Sequence, residues 1–159
     1  MSAPRFIADA MLGSLARWLR ITGFDTLYFR VIRDSELVRI AKQEGRILLS
    51  KDNALCRSKK SGECLLIQSD KTVEQLKEVM KACHIVPDQI QAFKRCTLCN
   101  GNLFSAQRNA ISAVVPDYVL QHMSAFVKCE ECGKVYWEGS HKMIIDAAIA
   151  AILKDIGDY

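Results

Sequence analysis

The chain has 159 residues, half of them hydrophobic, with a formal net charge of +4 and a mean hydropathy of +0.03. This suffices for one compact core plus a small appendage. No run approaches the ~18 to 20 apolar residues of a membrane span: the longest candidate, Met143 to Leu153, is broken by Asp146. Met1 to Arg5 lacks a signal-peptide layout, and seven cysteines, four of them in metal-type spacing, suit a reducing compartment, so the cytoplasm is expected. The positive excess lies wholly upstream. Residues 1–93 hold 15 Lys and Arg against 11 Asp and Glu, while residues 94–159 hold seven of each.

The first 82 residues alternate between strand and helix patterns. Arg5 to Ala8 is a short apolar strand ending at Asp9, and Leu12 to Thr22 carries a helical apolar stripe closed by Gly23. Thr26 to Phe29 reads as a second strand, and Asp34-Ser35-Glu36 opens a helix ended by Gly45. Arg46 to Ser50 is apolar without alternation, as in a strand buried on both faces. Asp52 to Ser58 follows as a short helix, Leu65 to Ile67 as a fourth strand, and Thr72 begins another helix. The order predicts an α/β fold, a parallel sheet with helices on both faces. Pro87 marks a boundary, with a short helical bridge from Asp88 to Phe93. Val135 to Trp137 reads as a hairpin strand, and His141 to Ile156 as a helix with His141 at its start.

Ligand sites in open parallel sheets form at the carboxyl ends of the strands. Asp9 ends the first strand, Asp34 begins the helix after the second, Asp52 follows the third, and Asp70 holds the comparable place after the fourth. Each of the last three is also a candidate helix cap. Brought to one rim, such carboxylates repel one another unless cations occupy the site, and hard Mg²⁺ or Mn²⁺ held this way suits phosphoryl transfer. Lys51, Arg57, Lys59 and Lys60 flank Asp52 and are candidates for guiding a phosphate backbone, and Arg17 or Arg20 on the first helix for facing the cleft.

Downstream, Cys96-Thr97-Leu98-Cys99 and Cys129-Glu130-Glu131-Cys132 are paired CxxC knuckles, each followed by turn residues at Asn100-Gly101 and Gly133-Lys134. Four thiolates so spaced make the closed shell of a structural zinc. A disulfide framework or unrelated core cysteines are the alternatives. Near the second knuckle Trp137 offers a base-stacking face, and it and Tyr136 are equally placed to pack the module against the last helix. Cys56, Cys64 and Cys83 read as small buried hydrophobes.

Phe6 to Arg20, Gly23 to Thr26, Asp34 to Leu37 and Arg46 to Asp52 resemble, in order, the motifs of the Mut-seven C-terminal RNase family. The resemblance continues through Arg95 to Asn100 and Cys129 to His141. It implies a PIN-like nuclease domain, residues 1–86, followed by a zinc ribbon with a short linker helix and a C-terminal helix, residues 87–159. Asp9, Asp34 and Asp52 would then bind catalytic Mg²⁺ or Mn²⁺, with Asp70 a fourth acidic residue, and RNA would be the substrate. A protein partner could dock through the ribbon. The rival expectation is a non-catalytic RNA- or protein-binding module. A haloacid-dehalogenase-type phosphatase is disfavoured, because its second aspartate belongs two positions after the first, where this chain has Met11.

Overall fold

The computed structural model describes residues 2–157, with the side chains of 140, 141, 156 and 157 outside the described set. Four short strands, β1 (Phe6–Ala8), β2 (Thr26–Tyr28), β3 (Ile47–Ser50) and β4 (Cys64–Leu66), form a fully parallel sheet of order β2-β1-β3-β4. Parallel neighbours need crossovers, and helices supply them: α1 (Gly13–Ile21), α2 (Asp34–Glu44) and α3 (Asn53–Arg57), with α4 (Thr72–Ala82) after the last strand.

Alternation along the strands divides the core. Phe6, Ala8 and Leu49 point to one face, where Leu15 and Leu19 of α1 meet Leu76, Val79 and Met80 of α4. Ile7 and Leu48 point to the other, against Leu37 and Ala41 of α2. Both faces of each central strand are covered, which explains the unalternating apolar run.

Downstream, β5 (Leu103–Ser105), β6 (Phe126–Cys129) and β7 (Val135–Trp137) make an antiparallel sheet. The insert contributes α5 (Arg108–Ile111) and α6 (Asp117–His122), around a small cluster of Ile111, Val115 and Phe126. The expected bridge is a single 3-10 turn, Pro87–Gln89, since only that much follows the proline before irregular backbone resumes. The last helix, α7 (Ser140–Gly157), returns to the first core: Ile152 is buried there and Lys77 of α4 pairs with Asp155 at 2.6 Å. The His141 side chain, expected at the helix start, lies outside the described residues.

Gly23 is required by close approach to backbone, and Gly13 makes room for the end of the Tyr28 side chain. A Cβ on Gly13 would sit 2.8 Å from the Tyr28 hydroxyl, and one on Gly23, at φ +95°, only 2.3 Å from the Gln91 carbonyl oxygen. Gly13 lets Tyr28 reach the carbonyl of Ala10 (3.0 Å), which tethers the turn after β1.

Three expectations are corrected. Cys56 and Cys64 are not independent buried hydrophobes. They form a disulfide, Cα atoms 5.2 Å apart, that ties α3 to the first residue of β4. Arg57, Lys59 and Lys60 do not flank the carboxyl edge. They lead into the start of β4, at the amino edge, where Gly62 lies against Lys42 near the end of α2. Arg20 does not face a cleft. It is 6% exposed and committed to the backbone carbonyls of Thr26, Thr97 and Leu98. Cys83 does behave as expected: it packs on the first core, and burial pushes its thiol up to about 11.

Candidate functional site: an acidic rim and a four-cysteine centre

In the order β2-β1-β3-β4, the crossovers that leave β1 (to β2) and β3 (to β4) run in opposite directions, so β1 and β3 straddle the switch point where a crevice opens. Asp9 leaves the end of β1 with its amide bonded to the Leu49 carbonyl of β3, 3.0 Å. Its Oδ1 accepts from the Met11 amide at 2.7 Å, capping the 3-10 turn Ala10–Leu12. Its Oδ2 accepts from the Ser50 hydroxyl at 2.6 Å. That hydroxyl in turn accepts from the Asp52 amide at 2.9 Å. Asp52 caps α3 through Oδ1, which takes the amides of Ala54 (2.8 Å) and Leu55 (3.1 Å). One buried serine therefore connects both acidic positions, and both carboxylates are oriented by backbone.

The other two carboxylates stand apart. Asp34 opens α2 beyond β2, exposed, with Arg33 rather than Asp34 in the capping position. Asp70 is 93% exposed and ion-paired with Lys51, whose ammonium holds its carboxyl below the usual range. Lys51 is thus the one basic candidate of its group at this rim. Among the described residues no three carboxylates bring oxygens within 4.8 Å of one another. The donor set is hard oxygen, and a magnesium ion usually keeps several waters while using one or two carboxylates, so Asp9 and Asp52 fit a hydrated divalent ion.

The four cysteines do converge. Cys96, Cys99, Cys129 and Cys132 place all their sulfurs within 4.8 Å of one another, with Cys96–Cys132 at 3.6 Å and Cys99–Cys129 at 3.4 Å. A tetrahedral ion with metal–sulfur bonds of about 2.3 Å needs edges of roughly 3.8 Å, so the set is compatible with structural zinc. Asn100 turns the first knuckle at φ +70° and Gly133 the second at φ +74°. The Tyr136 hydroxyl closes on Cys96 Sγ (3.0 Å) and accepts from the Thr97 amide (3.2 Å). Burial opposes a thiolate at Cys96, yet hydrogen bonds from Tyr136 and the amides of Cys99 and Leu98 bring it down to about 6.

Residues with no obvious sequence signal lock this centre to the sheet. Arg20 donates to Thr26 O (2.9 Å) and to the knuckle carbonyls of Thr97 and Leu98 (both 3.1 Å). Its positive charge also sits in the field of Cys96 and Cys99. The side-chain oxygen of Asn100 accepts from the Thr26 amide (2.9 Å), and its amide donates to Asp25 (2.7 Å). Asp25 is gripped at both oxygens by Arg46 (2.7 and 3.2 Å). Thr26 begins β2, so the cysteine centre sits at the amino edge and the acidic rim at the carboxyl edge.

Trp137 is 38% exposed and lines a cleft of about 350 Å³ with Arg17 and Phe93. No described helix is long and apolar enough to cross a membrane.

The model of the Mut7-C RNAse domain family matches residues 4–149. The human protein "Exonuclease mut-7 homolog" is 33% identical over 106 residues, which cover 62% of this chain but 12% of that protein. This chain thus corresponds to a small part of that relative. No solved structure matches.

Proposed function

The chain belongs to the Mut7-C RNAse domain family, and from that membership and the rim geometry we propose that it is a metal-dependent ribonuclease of PIN-like type. The observation that carries the reading is the Asp9–Ser50–Asp52 connection at the switch point of the sheet. Asp9 and Asp52 would hold Mg²⁺ or Mn²⁺, and Asp34, which stands apart beyond β2, would be a further acidic residue of the site. Such an ion supplies Lewis-acid polarisation of a phosphodiester and a water of lowered pKa.

The chain's own groups account for the rest. Ser50 fixes Asp9 in orientation by donating one hydrogen bond, so its oxygens need little reorganisation. Lys51, anchored by Asp70, puts a positive charge beside the rim where a phosphate backbone would approach. Zinc on the four cysteines would be structural, taking no part in the chemistry.

The test is cleavage of end-labelled single-stranded RNA with Mn²⁺, Mg²⁺ or neither, for wild type, Asp9→Asn and Asp52→Asn. Metal-dependent cutting lost in both variants at unchanged zinc content supports the nuclease. Equal RNA binding by all three proteins, with no cutting under any condition, overturns it and leaves a binding module.

A further inference from the structure

The rim and the cysteine centre lie at opposite edges of the sheet, yet the surface of α1 joins them. At the amino edge is the Trp137 cleft, walled by Arg17 and Ile21 of α1, Phe93 of the linker, Lys134 and Ile145. Beside it is a second cleft, also about 350 Å³, lined by Ser14, Trp18, Thr72 and Ile144. The two share Arg17, Ile21 and Ile145 and so form one groove between α1 and α7. Its far end is Ser14, in the first turn of α1, and Thr72, the first residue of α4. Ser14 follows the turn that Asp9 caps, and Thr72 lies two residues after Asp70. The groove therefore opens onto the carboxyl edge, about 10 Å along α1 from Ile21 at 1.5 Å per residue.

The two clefts carry cations only, while Glu138 and Asp146 lie in the adjoining cleft on the other side of Trp137 and Phe93. Arg17, Lys134 and Lys142 are the charged residues of the two clefts, with no carboxylate among them. Lys142 is occupied by Glu138 at 2.6 Å, and Lys134 stands over the Tyr136 ring at 5.4 Å. Arg17 is exposed at the shared wall and has no ion pair or hydrogen bond among the described residues. Phe93 presents its ring from a left-handed backbone, φ +62°, held by its amide on the Ile21 carbonyl at 3.1 Å. That conformation is uncommon for an aromatic residue, and such strain concentrates at ligand sites.

We propose that this groove is the track for single-stranded RNA, with Trp137 and Phe93 stacking bases at the ribbon end and Arg17 taking a phosphate midway to the acidic rim. The inference rests on the ribonuclease reading for the direction of the track. The binding itself stands on the groove. Aromatic faces beside an unpaired arginine suit an unpaired strand, since every base has a π-face and every linkage a negative charge. A duplex presents no free face to Trp137.

The experiment measures binding of fluorescein-labelled oligouridine of increasing length by anisotropy. It uses Asp9→Asn protein without added Mg²⁺ or Mn²⁺, so that nothing is cut. Trp137→Ala and Arg17→Glu should each weaken binding about tenfold, within the range for losing one stacked base, and Trp137→Phe should keep most of it. Arg39→Glu, an equal charge reversal on α2 across the sheet, should leave affinity unchanged. A matched duplex should bind equally to all variants. If Trp137→Ala does not fold, Arg17→Glu and Arg17→Ala decide. Unchanged oligouridine binding in the groove variants overturns the track, as does equal loss for the duplex, which would mark a general charge effect. If metal-dependent cutting is seen but these variants bind and cut as wild type does, the track fails and the nuclease stands. If the variants lose binding and no cutting is ever seen, the nuclease fails and the track stands.

Discussion

The Ser50 hydroxyl donates to Asp9 Oδ2 at 2.6 Å across the seam between β3 and β1. Because the same oxygen accepts the Asp52 amide, its proton has one direction to point. Ser50→Ala leaves both carboxylates present but removes the group that aims Asp9. On the ribonuclease reading we expect cleavage to fall about tenfold with a raised Mn²⁺ half-saturation, against at least about a thousandfold for Asp9→Asn. Rates measured across a Mn²⁺ titration separate the two: excess ion rescues much of Ser50→Ala and none of Asp9→Asn.

Asp25 makes the junction pH-sensitive. Burial alone would raise its pKa, but hydrogen bonds from Arg46 and Asn100 and the charge of Arg95 overcome this, so the folded value lies below the ordinary one. A depressed folded pKa gives stability that is complete above the unfolded value, near 3.9, and is lost as pH falls through the folded one. Asp25→Asn should therefore lower stability by about 1 to 3 kcal/mol at neutral pH, since Arg46, 6% exposed, would lose one of its two carboxylate partners and keep only the half-exposed Glu44 at 2.7 Å. The deficit should shrink below pH 4. Urea unfolding of both proteins between pH 3 and 7 reads it directly, and a constant difference would contradict the assignment.

The α/β order, the cysteine quartet and the rim positions of Asp9 and Asp52 were legible because each is local. A strand end, a spacing or a cap is written within a few residues. The placement of Arg20, Arg57, Lys59 and Lys60 was not, because it depends on which edge of the sheet a loop reaches. Five residues of α3 suffice to carry the chain from the carboxyl edge to the amino edge. The Asp25–Arg46–Asn100 junction joins segments far apart in sequence, and its only local hint was Asn100 in the turn after the first knuckle. Ile152 was readable as helical but not as part of the first core.

The cysteine centre should be coupled to the sheet rather than hang from it. Arg20 and Asn100 hold the knuckle by carbonyl and amide contacts that exist only when the knuckle is folded. Metal-binding energy is then folding energy for both parts. We expect one zinc per chain by atomic emission, and Cys129→Ser to lose it. The melting temperature should drop in the same variant, with the sheet's protected amides near Thr26 exchanging faster. Loss of zinc with no change around Thr26 would show the two parts to be independent.

The Cys56–Cys64 bridge closes a loop over a sequence separation of 8 and is distinct from the zinc thiols. On chain entropy such a closure stabilises by about 2 to 3 kcal/mol, less than a long-range bridge would. It fastens the end of α3, whose first turn Asp52 caps, so it braces the helix that aims an acidic residue. Peptide mapping without reductant should recover residues 56 and 64 joined, and Cys56→Ser should lower stability by about that amount at unchanged zinc content. If the bridge also steadies Asp52, Cys56→Ser should raise the Mn²⁺ requirement for cleavage modestly, and Cys83→Ser should not. Mapping that finds both thiols free in protein purified without reductant would remove the brace and leave α3 held by its cap and packing alone.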